Sequence, residues 1–171
     1  EKVNEIDPKI KLKLNQVNFK LNPSNFEFEI FTLDPHLLVN EKKVDLEIIK
    51  SDLNLLDYLN NKNPISEISI ISKESNIDQF TDFINEYDFN LARNLIFKQI
   101  KQGKVKIISN INFNENNPQN IKYNINGYVK DAEIKLLNQS KIENINFNFF
   151  VDQDSINLKK IELAFDKIFV T

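Results

Sequence analysis

His36 is the only histidine in the chain, and it sits directly after a proline in "LDPHLL", where a loop side chain belongs. One imidazole cannot build a His-based triad or a two-His metal site. No cysteine is present, so thiolate ligands, disulfides and thiol nucleophiles have no material, and redox compartment cannot be read. Asp152, Asp154 and Ser155 in "DQDS" look like the first half of a calcium loop. The glycine and the closing glutamate of such a loop are missing, so a β-turn is the expected structure. Asp52 and Asp57 flank a short leucine-rich stretch, and Asp52 reads as a helix cap because a short side chain there can accept an orphan backbone N–H. Asn138-Gln139-Ser140 fits a glycosylation acceptor, a three-residue match that arises readily by chance. With two glycines in all, there is no Gly-rich loop to cradle a phosphate. The expectation is a protein that is not an enzyme and needs no metal and no cofactor.

The charges narrow the partners. A formal net charge of −3 comes from 22 basic and 25 acidic residues spread along the chain. No basic patch suggests nucleic acid, and no polybasic run suggests anionic headgroups. No apolar run reaches the ~20 residues of a membrane span. The chain starts at Glu1 and is expected to be one β-rich segment, residues 1–171, of a longer protein. Any anchor or export signal would lie outside it. Ile, Asn, Lys and Phe dominate, a composition that AT-rich codons explain. A compact chain of this length buries roughly 70% of its unfolded surface, enough for a core without staples.

The elements that would carry any site are mostly strands. Ile10, Leu12 and Leu14 alternate with lysine, the phase slips at Asn15-Gln16, and Val17, Phe19 and Leu21 resume it. A slip of one residue predicts a bulge or kink. "NPSN" predicts a turn. Phe26, Phe28 and Ile30 alternate with glutamate, and Pro35 is expected to end that strand. Val44, Leu46 and Ile48 open a further strand that gives way to a short helix built on Leu53, Leu55, Leu56 and Leu59. That helix is expected to tuck under the sheet edge, with Asn63-Pro64 turning the chain into a strand at Ile65. Residues 76 to 102 change period. Ile77, Phe80, Phe83 and Ile84, then Leu91, Ala92, Leu95, Ile96 and Ile100, predict amphipathic helices closed by Gly103. Beyond them, Val105, Ile107, Ile111 and Phe113 share one parity, as do Ile121, Tyr123, Ile125, Gly127 and Val129. Asn126-Gly127 is a hairpin signal, but the cleaner pattern is one long strand in which Gly127 admits a close neighbour. The phase reverses at Asp131. Ile145, Phe147, Phe149 and Val151, then Ile156 and Leu158, Ile161, Leu163 and Phe165, and Ile168 and Val170 complete eight to ten strands.

Two readings share this pattern. The apolar faces could close on themselves or on the helices as the core of a structural or adhesion β-sandwich. Alternatively they could line an open groove for acyl chains, because an exposed apolar patch of more than a few hundred Å² needs a ligand or partner. Periodicity does not separate the two. The groove residues would be Phe26, Phe28, Ile30, Ile107, Tyr123, Ile125, Phe147, Phe149, Ile161, Leu163 and Phe165.

A strand followed by "SDLNLLDYLNNKNPISEISI" resembles the AsmA-like family, the bacterial group of AsmA, TamB and YhdP. Leu53, Leu55, Leu56, Pro64, Ile65, Ile68 and Ile70 match its strand, short helix, turn and strand. "NIDQFTDFI", "YNINGYVKDAEIKLL" and "KIENINFNFFVDQDSINLKKIELAF" are similar to its later units, so the likeness of rhythm covers roughly residues 10 to 170. The resemblance implies a mainly β fold with a minor α element, a long, strongly curved antiparallel sheet around a hydrophobic groove. It implies a periplasmic segment of a parent tethered to the inner membrane, continued by adjoining β-units. The function implied is carriage of phospholipid, held by its acyl chains, between the inner and outer membranes.

Overall fold

The computed structural model describes residues 10–24, 26–39, 42–80, 100–113, 121–135, 141–165 and 168–170. They are mainly β. Twelve strand segments form one large antiparallel sheet that is not closed into a barrel. The segments are β1 (Ile10–Lys13), β2 (Val17–Asn22), β3 (Glu27–Leu33), β4 (His36–Val39), β5 (Lys42–Asn54), β6 (Ile65–Ser72), β7 (Ser75–Asn76), β8 (Ile100–Phe113), β9 (Ile121–Lys135), β10 (Lys141–Val151), β11 (Ile156–Phe165) and β12 (Ile168–Val170). Strand follows strand in chain order, because short connections favour antiparallel neighbours. β3 and β4 are one strand broken at Asp34-Pro35, and both pair along the same edge of β5. β1–β2 repeats this against β3–β4, and β6–β7 against β8. β3 thus ends ahead of Pro35, as expected, and β4 resumes after it along the same neighbour. A single sheet also differs from the two opposed sheets of a sandwich.

The breaks and bulges fall in one band across the sheet, stepping by a few residues between β6–β7 and β8. Residues 14–16 interrupt β1–β2, Asp34 takes φ 51°, and the register shifts between Leu46 and Ile48. Lys73 and Glu74 separate β6 from β7. Gly103 takes φ 133°, Asp131 φ 51°, Asn144 φ 53° and Lys160 φ 52°, and each lies at a register shift of β8, β9, β10 or β11. A bulge kinks its strand and raises the twist, so bulges aligned across neighbouring strands crease the whole sheet. Side chains staple the crease. Asn15 Nδ2 donates to the Asp34 carbonyl (2.7 Å), and Asn146 Oδ1 accepts from the Asp131 N–H (2.9 Å).

The core lies at and beyond this crease. Val44, Leu46, Ile77, Phe80, Ile100, Val105, Val129, Ala132 and Ile145 form one buried cluster. Ile77 and Phe80 belong to a helical turn at residues 77–80, the start of the first amphipathic helix that the sequence predicts. Phe83, Ile84 and the second helical face of Leu91, Ala92, Leu95 and Ile96 lie outside the described residues. The predicted helix does not extend through residues 100–102. Ile100 to Gly103 are strand, with Ile100 opposite Ile134, and Gly103 serves a bulge and not a helix cap.

Between β5 and β6 stands a short helix, α1 (Leu55–Leu59). Its cap is Asn54, whose Oδ1 accepts from the Leu56 N–H (2.9 Å) and the Asp57 N–H (3.2 Å). Asp52 lies in β5 opposite Glu29 and Glu67, so the expectation that it caps the helix is corrected. Two backbone bonds hold the corner, from Asn54 N–H to the Pro64 carbonyl (2.9 Å) and from Leu55 N–H to the Phe26 carbonyl (3.1 Å). The helix does not tuck under the sheet. It buries no residue, and Leu56 and Leu59 are 49% and 72% exposed.

Candidate functional site

Cross-strand register decides which residues share a face, because directly paired residues of an antiparallel sheet point the same way. Ile107, Gly127, Phe149 and Leu158 form one row across β8 to β11. Ile111 pairs with Ile68 and Tyr123, and Ser109 with Ile70 and Ile125. The same face continues through Ile49, Ser51 and Leu53 of β5 and Phe28, Ile30 and Thr32 of β3 to Leu21, Phe19 and Val17 of β2. This makes one apolar face running from one edge of the sheet toward the other. Each strand carries its extra residue at the crease, so the face stays in phase through the bend.

Of the eleven candidates named from the sequence, Phe28, Ile30, Ile107, Tyr123, Ile125, Phe147, Phe149, Ile161 and Leu163 fall on this face. Phe165 occupies a backbone position of the same register in β11, opposite Ile142. Phe26 is the exception. It lies in the turn before β3 with φ 53° and is exposed at the sheet's end, so it leaves the row that its parity had assigned. Val17, Phe19, Leu21, Ile121, Ile156 and Leu158 extend the face and were not among the candidates. Their even spacing was visible in the sequence, but nothing there said that they would be left uncovered.

Burial changes along the strands. Val105 and Val129, beside the crease, are each 4% exposed, whereas Ile121 and Ile156 at the opposite strand ends are 45% and 52% exposed. The face is therefore packed shut at one end and open at the other. Midway, Phe147 and Phe149 stand with ring centroids 6.5 Å apart at 60°, a tilted geometry that aromatic quadrupoles favour. Phe149 lies over Gly127, where a Cβ would meet Cζ of the ring at 2.8 Å and the Lys106 carbonyl closer still. The sequence expectation of a continuous strand through Asn126-Gly127, with glycine admitting a close neighbour, matches this arrangement.

The opposite face is mostly polar, crossed by one apolar row of Leu33, Ile48, Ile71 and Ile108. On it, charged pairs flank the crease: Lys73–Asp34 (2.6 Å), Lys106–Glu47 (2.6 Å) and Lys43–Asp45 (2.9 Å). His36 Nδ1 lies 2.9 Å from Asp45, placing the lone histidine in β4 and not in a loop. The Tyr128 hydroxyl donates to Glu74 (2.7 Å), and Lys104 and Lys130 approach the same carboxylate. The Tyr128 bond and the two lysines hold Glu74 below the usual carboxylate range, while Glu74 pushes Tyr128 up. The Lys43 bond, helped by the charges of His36 and Lys73, lowers Asp45, and Asp34 raises Lys73. A shallow polar pocket near this network is lined by Asp45, Lys73, Glu74, Gln79 and Lys104 and is separate from the apolar face. In the "DQDS" turn, Asp152 accepts from the N–H groups of Asp154 (2.9 Å) and Ser155 (2.7 Å), which lowers its pKa. That is the expected β-turn. Among the described residues, no group of three or more His, Cys, Asp or Glu side chains is placed to hold a metal ion.

The described residues thus form an open antiparallel meander with one mostly polar face and one apolar face that is packed near the crease and exposed at its far strand ends. No family model, curated protein or solved structure matches the chain, so its reading rests on its own residues.

Proposed function

We propose that this chain is a non-enzymatic lipid-handling segment of the AsmA-like kind, whose apolar face receives the acyl chains of phospholipid in transit between inner and outer membrane. On this reading it works in the periplasm as part of a parent tethered to the inner membrane, and adjoining β-units of that parent continue the face. The supporting observation is the gradient of burial along one continuous apolar face, from 4% at Val129 to 45% at Ile121 on the same strand. Between those residues β9 runs roughly 26 Å, at about 3.3 Å per residue. A phospholipid leaflet is about 15 Å deep, half of a ~30 Å hydrocarbon core. An acyl chain laid along the strands fits between the open end and the packed cluster. Each CH₂ buried there contributes roughly 0.8 kcal/mol, with little dependence on headgroup.

Native mass spectrometry of protein extracted gently from cells tests the proposal. Phospholipid should accompany the wild type and be lost from Ile161→Asp and Leu158→Asp. Both positions are about half exposed, so the substitutions remove apolar contact without burying a charge in the core. A wild-type preparation consistently free of lipid overturns the reading. The second reading, a structural or adhesion β-domain, draws on the packed cluster around Val129 and Ala132 and predicts a stable fold that never carries lipid.

A further inference from the structure

β2 is paired on one side only among the described residues, and it is unusually bare. On the apolar face Val17, Phe19 and Leu21 are 40%, 67% and 53% exposed. On the polar face β1–β2 carries Lys11, Lys13 and Lys20 with no acidic residue between them. Its existing neighbour shows what such a strand accepts. β3 sets Glu29 opposite Lys20, Ile30 opposite Phe19 and Phe28 opposite Leu21, so acids meet the lysine face and apolar residues meet the apolar face. The other outer strand also carries more lysine than acid, Lys159 and Lys160 against Glu162. β11 pairs with β12 only over Leu163–Phe165, leaving Ile156–Glu162 with Lys159 and Lys160 on that edge. Pairing one copy's β2 with another copy's β2 or β11 would therefore bring lysine toward lysine, and like charges directly across strands are unfavourable.

From this we propose that the free edge of β2 is a strand-addition site for an extended segment that alternates apolar with acidic residues, supplied by a partner and not by a second copy of this chain. Main-chain hydrogen bonds to the edge supply affinity, and the alternation supplies selectivity. The added strand would place its acids beside Lys20 and its apolar side chains beside Val17, Phe19 and Leu21. It would widen the apolar face by one strand. This holds whether or not that face carries lipid.

The probe is a fluorescein-labelled peptide FEFEIFT, copying residues 26–32, titrated against the whole chain by fluorescence anisotropy. Two controls accompany it: FKFKIFT, with the charges reversed, and EEFFFIT, with the same composition but no alternation. FEFEIFT should bind about tenfold more tightly than either control, the effect of exchanging favourable for unfavourable cross-strand charge pairs. The preference should shrink with added salt. Lys20→Glu should invert the order of FEFEIFT and FKFKIFT, and Lys20→Gln should abolish the difference without placing an acid against Glu29. Deuterium exchange should slow at residues 17–22 on binding. Equal binding of the three peptides, protection at 156–162 instead, or a dimer of the free chain in sedimentation would each overturn the proposal.

Discussion

Gly127→Ala places a methyl group in β9 against the Lys106 carbonyl of β8 and the Phe149 ring of β10. At a strand position that tolerates a side chain, this change stabilises by about 0.4–1 kcal/mol, because the unfolded chain loses freedom. Gly127 has an ordinary negative or extended backbone, so that gain would be available here if space allowed. It does not. The added Cβ meets the Lys106 carbonyl of the adjacent strand and lies 2.8 Å from Phe149 Cζ. The ring can rotate or shift, but the carbonyl moves only if β8 and β9 separate. Overpacking of this kind costs about 1–3 kcal/mol, leaving a net loss of about 1–2 kcal/mol after the entropic gain. For a chain of this size that lowers Tm by roughly 3–6 °C, readable by circular dichroism or calorimetry. A double-mutant cycle with Phe149→Leu separates the two contacts. Shortening the ring should recover less than half of the loss, because the carbonyl remains. A Tm at or above wild type for Gly127→Ala, or full recovery in the double variant, would refute the close approach of the two strands.

Other expectations follow from the backbone and the charges. Lys160 is a non-glycine residue at φ 52°, so Lys160→Gly should raise Tm by a few degrees, the release of about 1 kcal/mol of left-handed strain. Asn54→Ala should cost about 1 kcal/mol by removing the α1 cap and should speed exchange of the Leu56 and Asp57 amides first. Asp45, Glu74 and Asp152 have lowered pKa values in the fold. Their contribution is present above the usual carboxylate range and is lost as pH falls through the lowered values. Lys73 and Tyr128 are raised, so theirs is present below the ordinary Lys and Tyr range and is lost as pH climbs through the raised values. Melting curves across pH should therefore decline at both extremes, and Asp45→Asn with Glu74→Gln should flatten the acid side.

Much of the fold was legible as alternation. The slips at Asn15-Gln16, at Asp131 and between Leu158 and Ile161 each mark a break or bulge of the crease. The slip at Glu47 was not legible. Val44, Leu46 and Ile48 read as one face, yet Ile48 pairs with Leu33 and Ile71 on the polar face while Ile49 joins Ile70. Two adjacent isoleucines conceal a change of phase. The same spacing of Ile71 and Ile108 places an apolar row across the outer surface, where a period-2 rule expects polar residues. Residues 100–103 were misassigned for a related reason. Ile100 sits where a helical count from Leu95 and Ile96 lands, and Gly103 is equally at home after a helix or in a bulge. The leucines of α1 have helical spacing and do form a helix, but spacing cannot show that no surface covers them. For the candidate site, the sequence identified most members of the apolar face and missed its edges, because exposure depends on what the strands pack against.

The crease explains how an uncovered apolar face can coexist with a stable sheet. A bulge confined to one strand would put that strand's remaining apolar side chains on the wrong face. With an extra residue at the same level in neighbouring strands, Val129 and Ala132 remain on the face of Val105 and Ile145 despite their odd separation. The bend then turns the far ends of β5, β8, β9 and β10 toward the helical turn at Ile77 and Phe80, where nine side chains bury one another. Stability is concentrated in that end. The ion pairs on the outer surface add little, since exposed pairs contribute about 0–1 kcal/mol each. On the open side of the crease the strands are held mainly by their ladders and by neighbours within the face, so Ile121, Tyr123, Ile156 and Leu158 are not required to close a core. Their apolar character is therefore not accounted for by packing within the described fold, and the proposed lipid contact would account for it.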